Sequence, residues 1–278
     1  MSKELSYANW KNEYQSVLSC FSDKTIMLAY SGGKDSSAAL NLMKQAQQEF
    51  GFHMEVHGVV FPNHVLTGDE QGRLKQYWRK KEIEIHWHES SIVEQELANA
   101  VTNGEIPCRV CNKAKKKVLI NYFKETHSNF ESIVLVMSYS LWDLVSATIE
   151  HILGSIYSAD GLNNADTRLR LKNRFNETSQ RFYSLLTLKD GLTIFKPLIN
   201  YNDQHILDYL STHQIPIVAN SCQYKEYRPK RWFANYYHNA GLQFDIENVR
   251  TFARNALAVP DISFYENIEA GNYFRNII

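Results

Sequence analysis

Apolar residues along this chain come in short runs separated by longer amphipathic stretches, and the two alternate. The runs Thr25–Tyr30, Met54–Phe61, Glu82–Trp87, Ile133–Tyr139 and Leu192–Leu198 have the length and bounding of buried strands. Between them, over about 36–50, 69–81, 91–102, 112–126 and 141–157, the pattern predicts helices. In the first of these, Ala39, Met43, Ala46 and Phe50 recur at four-three-four spacing and share one face. Such alternation predicts an α/β fold, a parallel sheet with helices on both faces, whose ligands sit beyond the carboxyl ends of the strands. Residues 1–22 predict an N-terminal helix with Trp10, Tyr14, Val17 and Leu18 at helical spacing. Residues 158–184 are polar and weakly periodic and predict a mobile excursion of the lid kind. From about Asn202 the pattern is helical and aromatic, with Tyr224, Tyr227, Trp232, Phe233, Tyr236 and Tyr237. The expected organisation is an N-terminal helix (1–22), a core domain (23–200) and a helical C-terminal extension (201–278), without internal repeats.

Composition narrows the class. The 278 residues, 44% hydrophobic, suffice for one large domain or a domain with an appendage. Lys plus Arg and Asp plus Glu both number 30, so the zero formal charge gives no support for a dominant nucleic-acid binder. The start MSKELSYANW has no signal-peptide pattern, and no run approaches the roughly 18 apolar residues of a membrane span. A cytoplasmic protein with no membrane partner is expected. Four cysteines do not make a disulfide scaffold, so their placement matters more than their number.

The first candidate site is Ser31-Gly32-Gly33-Lys34-Asp35-Ser36, between the first strand and its helix. Two glycines let the backbone turn sharply and aim N–H groups at an anion, and the helix N-terminus adds partial positive charge. A phosphate site follows, although the spacing is not that of the common loop G-x-x-x-x-G-K-S/T. The bland alternative is an ordinary polar turn. With all six positions matched in strand–turn–helix context, the segment resembles the signature of the PP-loop ATP pyrophosphatases. The resemblance implies a Rossmann-like PP-loop fold and ATP held along Tyr30, Ser31, Gly32, Gly33, Lys34, Asp35 and Ser36. It also implies cleavage between the α and β phosphates, adenylating an oxygen of the substrate.

The second candidate site is Pro107-Cys108-Arg109-Val110-Cys111 at the start of a helix. The helix N-terminus and the neighbouring Arg109, Lys113 and Lys115 are expected to favour thiolate. A C-x-x-C pair serves iron–sulfur, zinc or redox chemistry, or is merely structural, and no second such pair completes a zinc site. Cys222, in a turn after Ile215-Pro216-Ile217-Val218, supplies a third thiol. Three cysteines with one open position suit a [4Fe–4S] cluster whose fourth iron binds an exogenous sulfur. Cys20, among apolar neighbours, is expected to be a buried, inert thiol. His86 and His88 flank Trp87 and project to one face, where edge or core histidines are commoner than ligands, so they carry no assigned role.

Together, S-G-G-K-D-S and the downstream P-C-x-x-C helix with its basic residue resemble the thiolation branch of the PP-loop enzymes, above all the tRNA 2-thiocytidine synthetase family. Phe195-Lys196-Pro197-Leu198 and the segment Pro216-Ile217 to Cys222 resemble two further motifs of that family, so the likeness spans about residues 20–260. Two departures stand out. The G-H-x-x-D-D motif is replaced by Ser138-Tyr139-Ser140-Leu141-Trp142-Asp143-Leu144, which keeps only Asp143. Ala219 stands three residues before Cys222, where the family often has a second cysteine. A specialised paralogue is expected.

The resemblance implies an ATP-dependent enzyme that adenylates a nucleobase carbonyl oxygen and replaces it with sulfur. Lys34 and Asp35 would act at the phosphates, with Mg²⁺ on Asp35 and Asp143. The sulfur would arrive as hydrosulfide on a cluster held by Cys108, Cys111 and Cys222, with sulfide or a cysteine desulfurase as donor, or as a persulfide on Cys108 or Cys111 loaded by a cysteine desulfurase, the partner cysteine resolving the disulfide. Basic clusters at Lys113/Lys115/Lys116/Lys117, Arg168/Arg170/Lys172/Arg174 and Arg228/Lys230/Arg231 admit tRNA as acceptor. Each is also readable as a solvated face. Zero net charge and the rebuilt motif favour a free nucleobase, thiolated as in 6-thioguanine-type biosynthesis. An amine ligase of the tRNA lysidine synthetase type, which has no use for the cysteines, and a zinc-containing nucleotide-binding protein without catalysis remain alternatives. The aromatic C-terminal segment either caps the site or pairs subunits in a homodimer.

Overall fold

Successive residues of the strand Thr25–Tyr30 (β1) face opposite ways, Ile26, Leu28 and Tyr30 into one hydrophobic cluster and Met27 into another. Both faces of the strand are covered, which is why its sequence reads as a continuous apolar run. The structure, a computed structural model, describes residues 4–61, 66–90, 93–127, 129–156, 165–219, 222–241 and 246–277. The other strands are β2 (His53–Val60), β3 (Ile85–Glu89), β4 (Ile133–Val136), β5 (Leu185–Thr187) and β6 (Thr193–Phe195). They form one six-stranded sheet in the order β3-β2-β1-β4-β6-β5. β1 pairs in parallel with β2 (Thr25 opposite His53) and with β4 (Thr25 opposite Ile133), and only the edge strand β5 runs antiparallel.

The helices are α1 (Tyr7–Leu18), α2 (Lys34–Phe50), α3 (Gly68–Arg79), α4 (Val93–Thr102), α5 (Pro107–Thr126) and α6 (Leu141–Ile156). The second half of the chain carries α7 (Ala165–Ser179), α8 (Asp203–Thr212), α9 (Pro229–Asn239), α10 (Ile246–Ala256), α11 (Ile262–Glu266) and α12 (Ala270–Ile277). On one face of the sheet, Trp10, Ala39, Met43, Leu74, Trp78 and Ile206 from α1, α2, α3 and α8 pack with Leu28, Val56 and Val136. The opposite face packs Ile120 and Phe123 of α5 and Tyr273 and Phe274 of α12 on Met27, Ile133 and Ile194. Trp10 is fully buried, and its indole N–H donates to the Pro197 carbonyl at 2.9 Å, seating α1 against the chain just after β6. The α/β fold with a parallel sheet covered on both sides is the expected one.

Four expectations need correction. The segment 158–184 is not a mobile excursion over its described part: residues 165–179 form α7. That helix is polar because ion pairs hold it, with Glu177 accepting Lys116 at 2.7 Å and Arg181 at 3.1 Å, and Arg174 paired with Glu150; residues 157–164 lie outside the described residues. α5 starts at Pro107, not 112, because proline suits the first helical position, so Cys108 and Cys111 lie within its first turns. β3 starts at Ile85 because Glu82 adopts a left-handed φ of 58° and Ile83 N–H bonds back to the Trp78 carbonyl, closing α3. Cys20 is exposed: the 3₁₀ turn Ser19–Phe21 buries Phe21 and turns Cys20 outward, with its thiol on the Ser16 carbonyl.

Candidate active site

At the carboxyl end of β1 the chain turns through Ser31, Gly32 and Gly33 and enters α2 at Lys34. Gly32 has φ of 72°, a conformation other residues adopt only with strain, and Gly33 is the N-cap of α2. The hydroxyls of Ser31 and Ser36 share a hydrogen bond at 3.1 Å, and Ser36 Oγ accepts the Ser31 N–H at 3.2 Å. These bonds hold the turn in shape around the exposed helix N-terminus, where an anion is favoured. Tyr30 takes a different place. Its ring is buried, and its hydroxyl accepts the Trp78 indole N–H at 2.8 Å.

Three carboxylates and two ammonium groups gather beside this turn. Lys34 Nζ lies 2.5 Å from Asp35 Oδ1 and 2.9 Å from Asp203 Oδ1. Ser140 donates to Asp143 Oδ2 through its N–H (2.9 Å) and hydroxyl (3.0 Å), and Lys230 donates to Asp143 Oδ1 at 2.7 Å. Burial raises the pKa of Asp35, with the Lys230 charge opposing it and the Asp143 charge adding to it. Burial also works to raise that of Asp143, but Lys230 and the Ser140 N–H outweigh it and bring it to about 2. Behind the group, Arg181 lies 4.5 Å from the Tyr139 ring centroid and donates to the Asp143 carbonyl at 3.2 Å. Asp203 and Lys230 were not singled out from sequence as members of this group. Asp203 had one available signal, its position at a helix start just after the segment Phe195-Lys196-Pro197-Leu198.

The cysteines meet around one backbone unit. Cys108 Sγ donates to the Tyr224 carbonyl at 3.6 Å, and the Tyr224 N–H donates to Cys222 Sγ at 3.4 Å. Cys111, one helical turn after Cys108, shares their electrostatic environment. The thiolate expectation is corrected. Burial pushes both helix thiols above the ordinary cysteine value, with Arg228 opposing it at Cys108 and Lys115 at Cys111. Arg109 turns away to Glu150 at 2.9 Å, and Lys113 is exposed. Among the described residues, no three His, Cys, Asp or Glu side chains converge closely enough to hold a single metal ion. An iron–sulfur cluster makes a different demand, because each cysteine binds its own iron; Cys108 and Cys222 share the Tyr224 backbone, and Cys111 interacts electrostatically with both.

The phosphate turn and the thiols occupy the same end of the sheet. A cavity of about 280 Å³ beside α5 is lined by polar Ser31, Asn112, Lys115, Ser138 and Tyr139 and by apolar Met27, Phe123 and Phe274. The segment before Cys222 reaches the turn directly, since the Val218 N–H donates to the Gly32 carbonyl at 2.8 Å.

This loop on the first strand of a parallel sheet, with the site beyond the strand ends, is the arrangement of the PP-loop superfamily of ATP-using enzymes. Residues 25–220 match the phosphoadenosine phosphosulfate reductase domain, and the chain belongs to that family. No curated protein matches the chain in sequence. Among solved structures it is similar to the U34-tRNA thiolase NcsA from Methanococcus maripaludis with its [4Fe–4S] cluster (TM-score 0.58, 13% identity, covering 92% of this chain and 81% of that one). It is also similar to an NAD⁺ synthetase from Burkholderia pseudomallei (TM-score 0.48, 11% identity, covering 92% and 91%). At these identities the likeness is one of fold.

Proposed function

We propose that this protein is an ATP-dependent sulfurtransferase that adenylates a carbonyl oxygen of a nucleobase and replaces it with sulfur. The observation that carries the reading is the union of a phosphate-binding turn and three cysteines at one end of the sheet, joined by the Val218–Gly32 bond. In the first step the acceptor oxygen attacks the α-phosphorus, the bond to the β-phosphate oxygen breaks, and its electron pair leaves with pyrophosphate. In the second, sulfide forms the carbon–sulfur bond and AMP leaves with the oxygen. Ser31 to Ser36 bind the phosphates, and Lys34 offsets the charge on the departing pyrophosphate. Asp35 and Asp143 would hold Mg²⁺, which takes carboxylates together with phosphate oxygens. Cys108, Cys111 and Cys222 would hold a [4Fe–4S] cluster, which supplies a thiophilic position for the incoming sulfide.

A free base is favoured as acceptor over tRNA. One member of each basic cluster is held by a carboxylate of the chain: Lys116 pairs with Glu177, Arg174 with Glu150 and Arg231 with Glu226 at 3.6 Å. The cavity beside Ser31 has the dimensions of a small ligand. The test is anaerobic purification with iron and sulfide analysis, then incubation with Mg·ATP, sulfide and either guanine or tRNA. Pyrophosphate release with a thiolated free base detected by mass spectrometry is the expected result. Turnover only with tRNA, with steeply salt-dependent binding, moves the acceptor to RNA. Full activity in Cys222→Ala removes the cluster from the reading.

A further inference from the structure

Lys230 lies ten residues beyond the matched family region, in α9 of the C-terminal extension, yet its ammonium group stands inside the candidate active site. Its neighbours Arg231 and Trp232 are exposed. Lys230 turns the other way, and the Trp142 indole N–H holds its backbone by donating to the Lys230 carbonyl at 3.3 Å. The inward turn desolvates a charge, which is unfavourable unless a partner repays it. Here the partners are Asp143 at 2.7 Å and the nearby charges of Asp35 and Asp203.

The charges point to a purpose beyond holding α9. Three carboxylates (Asp35, Asp143, Asp203) face two lysines, one from the phosphate turn and one from α9. Asp143 Oδ2 is already satisfied twice by Ser140. Lys34, the first residue of α2, places its ammonium on Asp35 and Asp203 beside the turn. Lys230 reaches the same carboxylate group from α9, through Asp143. Asp35 and Asp143 would hold Mg²⁺ together with ATP, which would offset the carboxylate charge and leave Lys34 and Lys230 available to phosphate oxygens.

We propose that Lys230 is a catalytic residue that binds the α-phosphate of ATP opposite the phosphate turn, so that the C-terminal extension completes the active site. This inference rests on the adenylation reading. Lys230 stays protonated throughout. It stabilises the charge that grows on the α-phosphate oxygens as the bond to the leaving pyrophosphate breaks, and no redox change is involved.

The test compares the full-length protein with Lys230→Met, Lys230→Arg and the surface control Arg231→Met, by calorimetric binding of Mg·ATP, AMP and Mg·pyrophosphate. The expected result is a loss of about tenfold for Mg·ATP and AMP in Lys230→Met, one charge-assisted contact's worth. Mg·pyrophosphate affinity should be retained, Lys230→Arg should recover most of the loss, and Arg231→Met should match the unmutated protein. Equal affinities for all three ligands in Lys230→Met overturn the proposal. So does a loss on Mg·pyrophosphate as large as that on Mg·ATP, which marks a merely structural ion pair. Circular dichroism melting keeps a folding defect separate, and a folded Lys230→Met with unchanged AMP binding is decisive against the role. If the unmutated protein fails to bind Mg·ATP, the adenylation reading falls, and this inference with it.

Discussion

The Val218 N–H and the Gly32 carbonyl, 2.8 Å apart, tie the segment leading to Cys222 to the phosphate turn. A Cβ on Gly32 would lie 2.5 Å from Val218 Cγ2, and the φ of 72° disfavours any side chain there. Gly32→Ala is therefore expected to disturb both sites at once. Mg·ATP affinity should fall by at least about tenfold, the equivalent of roughly 1.4 kcal/mol, and alkylation of buried Cys222 should accelerate. Calorimetry and mass-spectrometric thiol labelling measure the two effects. A change confined to ATP binding would mean that the bond does not couple the sites.

Thiol labelling also tests the electrostatics of the cysteine group. Burial raises the pKa of Cys108 and Cys111, so without ligand they are largely protonated at neutral pH and slow to react, since the thiolate is the nucleophile. Exposed Cys20 should be modified first by iodoacetamide at pH 7, with Cys222 slow because it is buried. The rates at Cys108 and Cys111 should climb as the pH passes the ordinary thiol value. Faster labelling of either helix cysteine than of Cys20 at pH 7 would contradict the burial argument.

These contrasts mark what local sequence can convey. The strand–glycine turn–helix unit at Ser31–Ser36 was legible because its parts are contiguous, and each element follows from nearest neighbours. The layers of the sheet were legible for the same reason, since strand–helix alternation admits few topologies. β5 escaped because three residues, Leu185–Thr187, carry no period, and its partner β6 fixes it from a distance. α7 escaped because its ties lie far along the chain, Glu177 to Lys116 and Arg174 to Glu150, and no helical apolar stripe announces them. Sequence proximity overstates the thiolate character of Cys108 and Cys111, because the neighbouring Arg109 and Lys113 do not act on the sulfurs. In three dimensions Arg109 leaves for Glu150, and burial outweighs the charges that stay. Asp203 and Lys230 joined the site only through tertiary packing.

A histidine group on β2 and β3 makes stability depend on pH. His57 Nδ1 and His88 Nε2 share a hydrogen bond at 3.1 Å, His57 Nε2 lies 3.3 Å from Glu55, and His86 stacks on the His57 ring. Burial lowers the pKa of His57 to about 4; Glu55 works against the shift, while His86 and His88 add to it. The unfolded chain takes up a proton near pH 6.5, but the folded chain does so only near 4. Stability is therefore lost as pH falls between these values. His57→Gln should flatten that limb of a urea-denaturation profile between pH 7 and 4, although it costs packing at neutral pH. An unchanged acid limb would assign the loss to other groups.

Lys196, fully buried after β6, adds a dependence of the same sign at higher pH. Its ammonium donates to the Tyr183 carbonyl at 2.9 Å, but burial, reinforced by the Arg181 charge, lowers its pKa to about 7. Below pH 7 both folded and unfolded chains hold the proton, and the full cost of burying the charge is present. Between about 7 and the ordinary lysine value the unfolded chain alone keeps it, so the cost is relieved as pH rises. Lys196→Met removes the charge and leaves the Tyr183 carbonyl without its donor, a loss of roughly 1–3 kcal/mol. The relieved charge burial exceeds this at pH 7, where a net gain of about 2 kcal/mol is expected. The gain should shrink steadily toward pH 10 and reverse sign there. Urea denaturation of the two proteins at pH 7, 8.5 and 10 measures it, and a pH-independent difference would mean that Lys196 does not change protonation on folding.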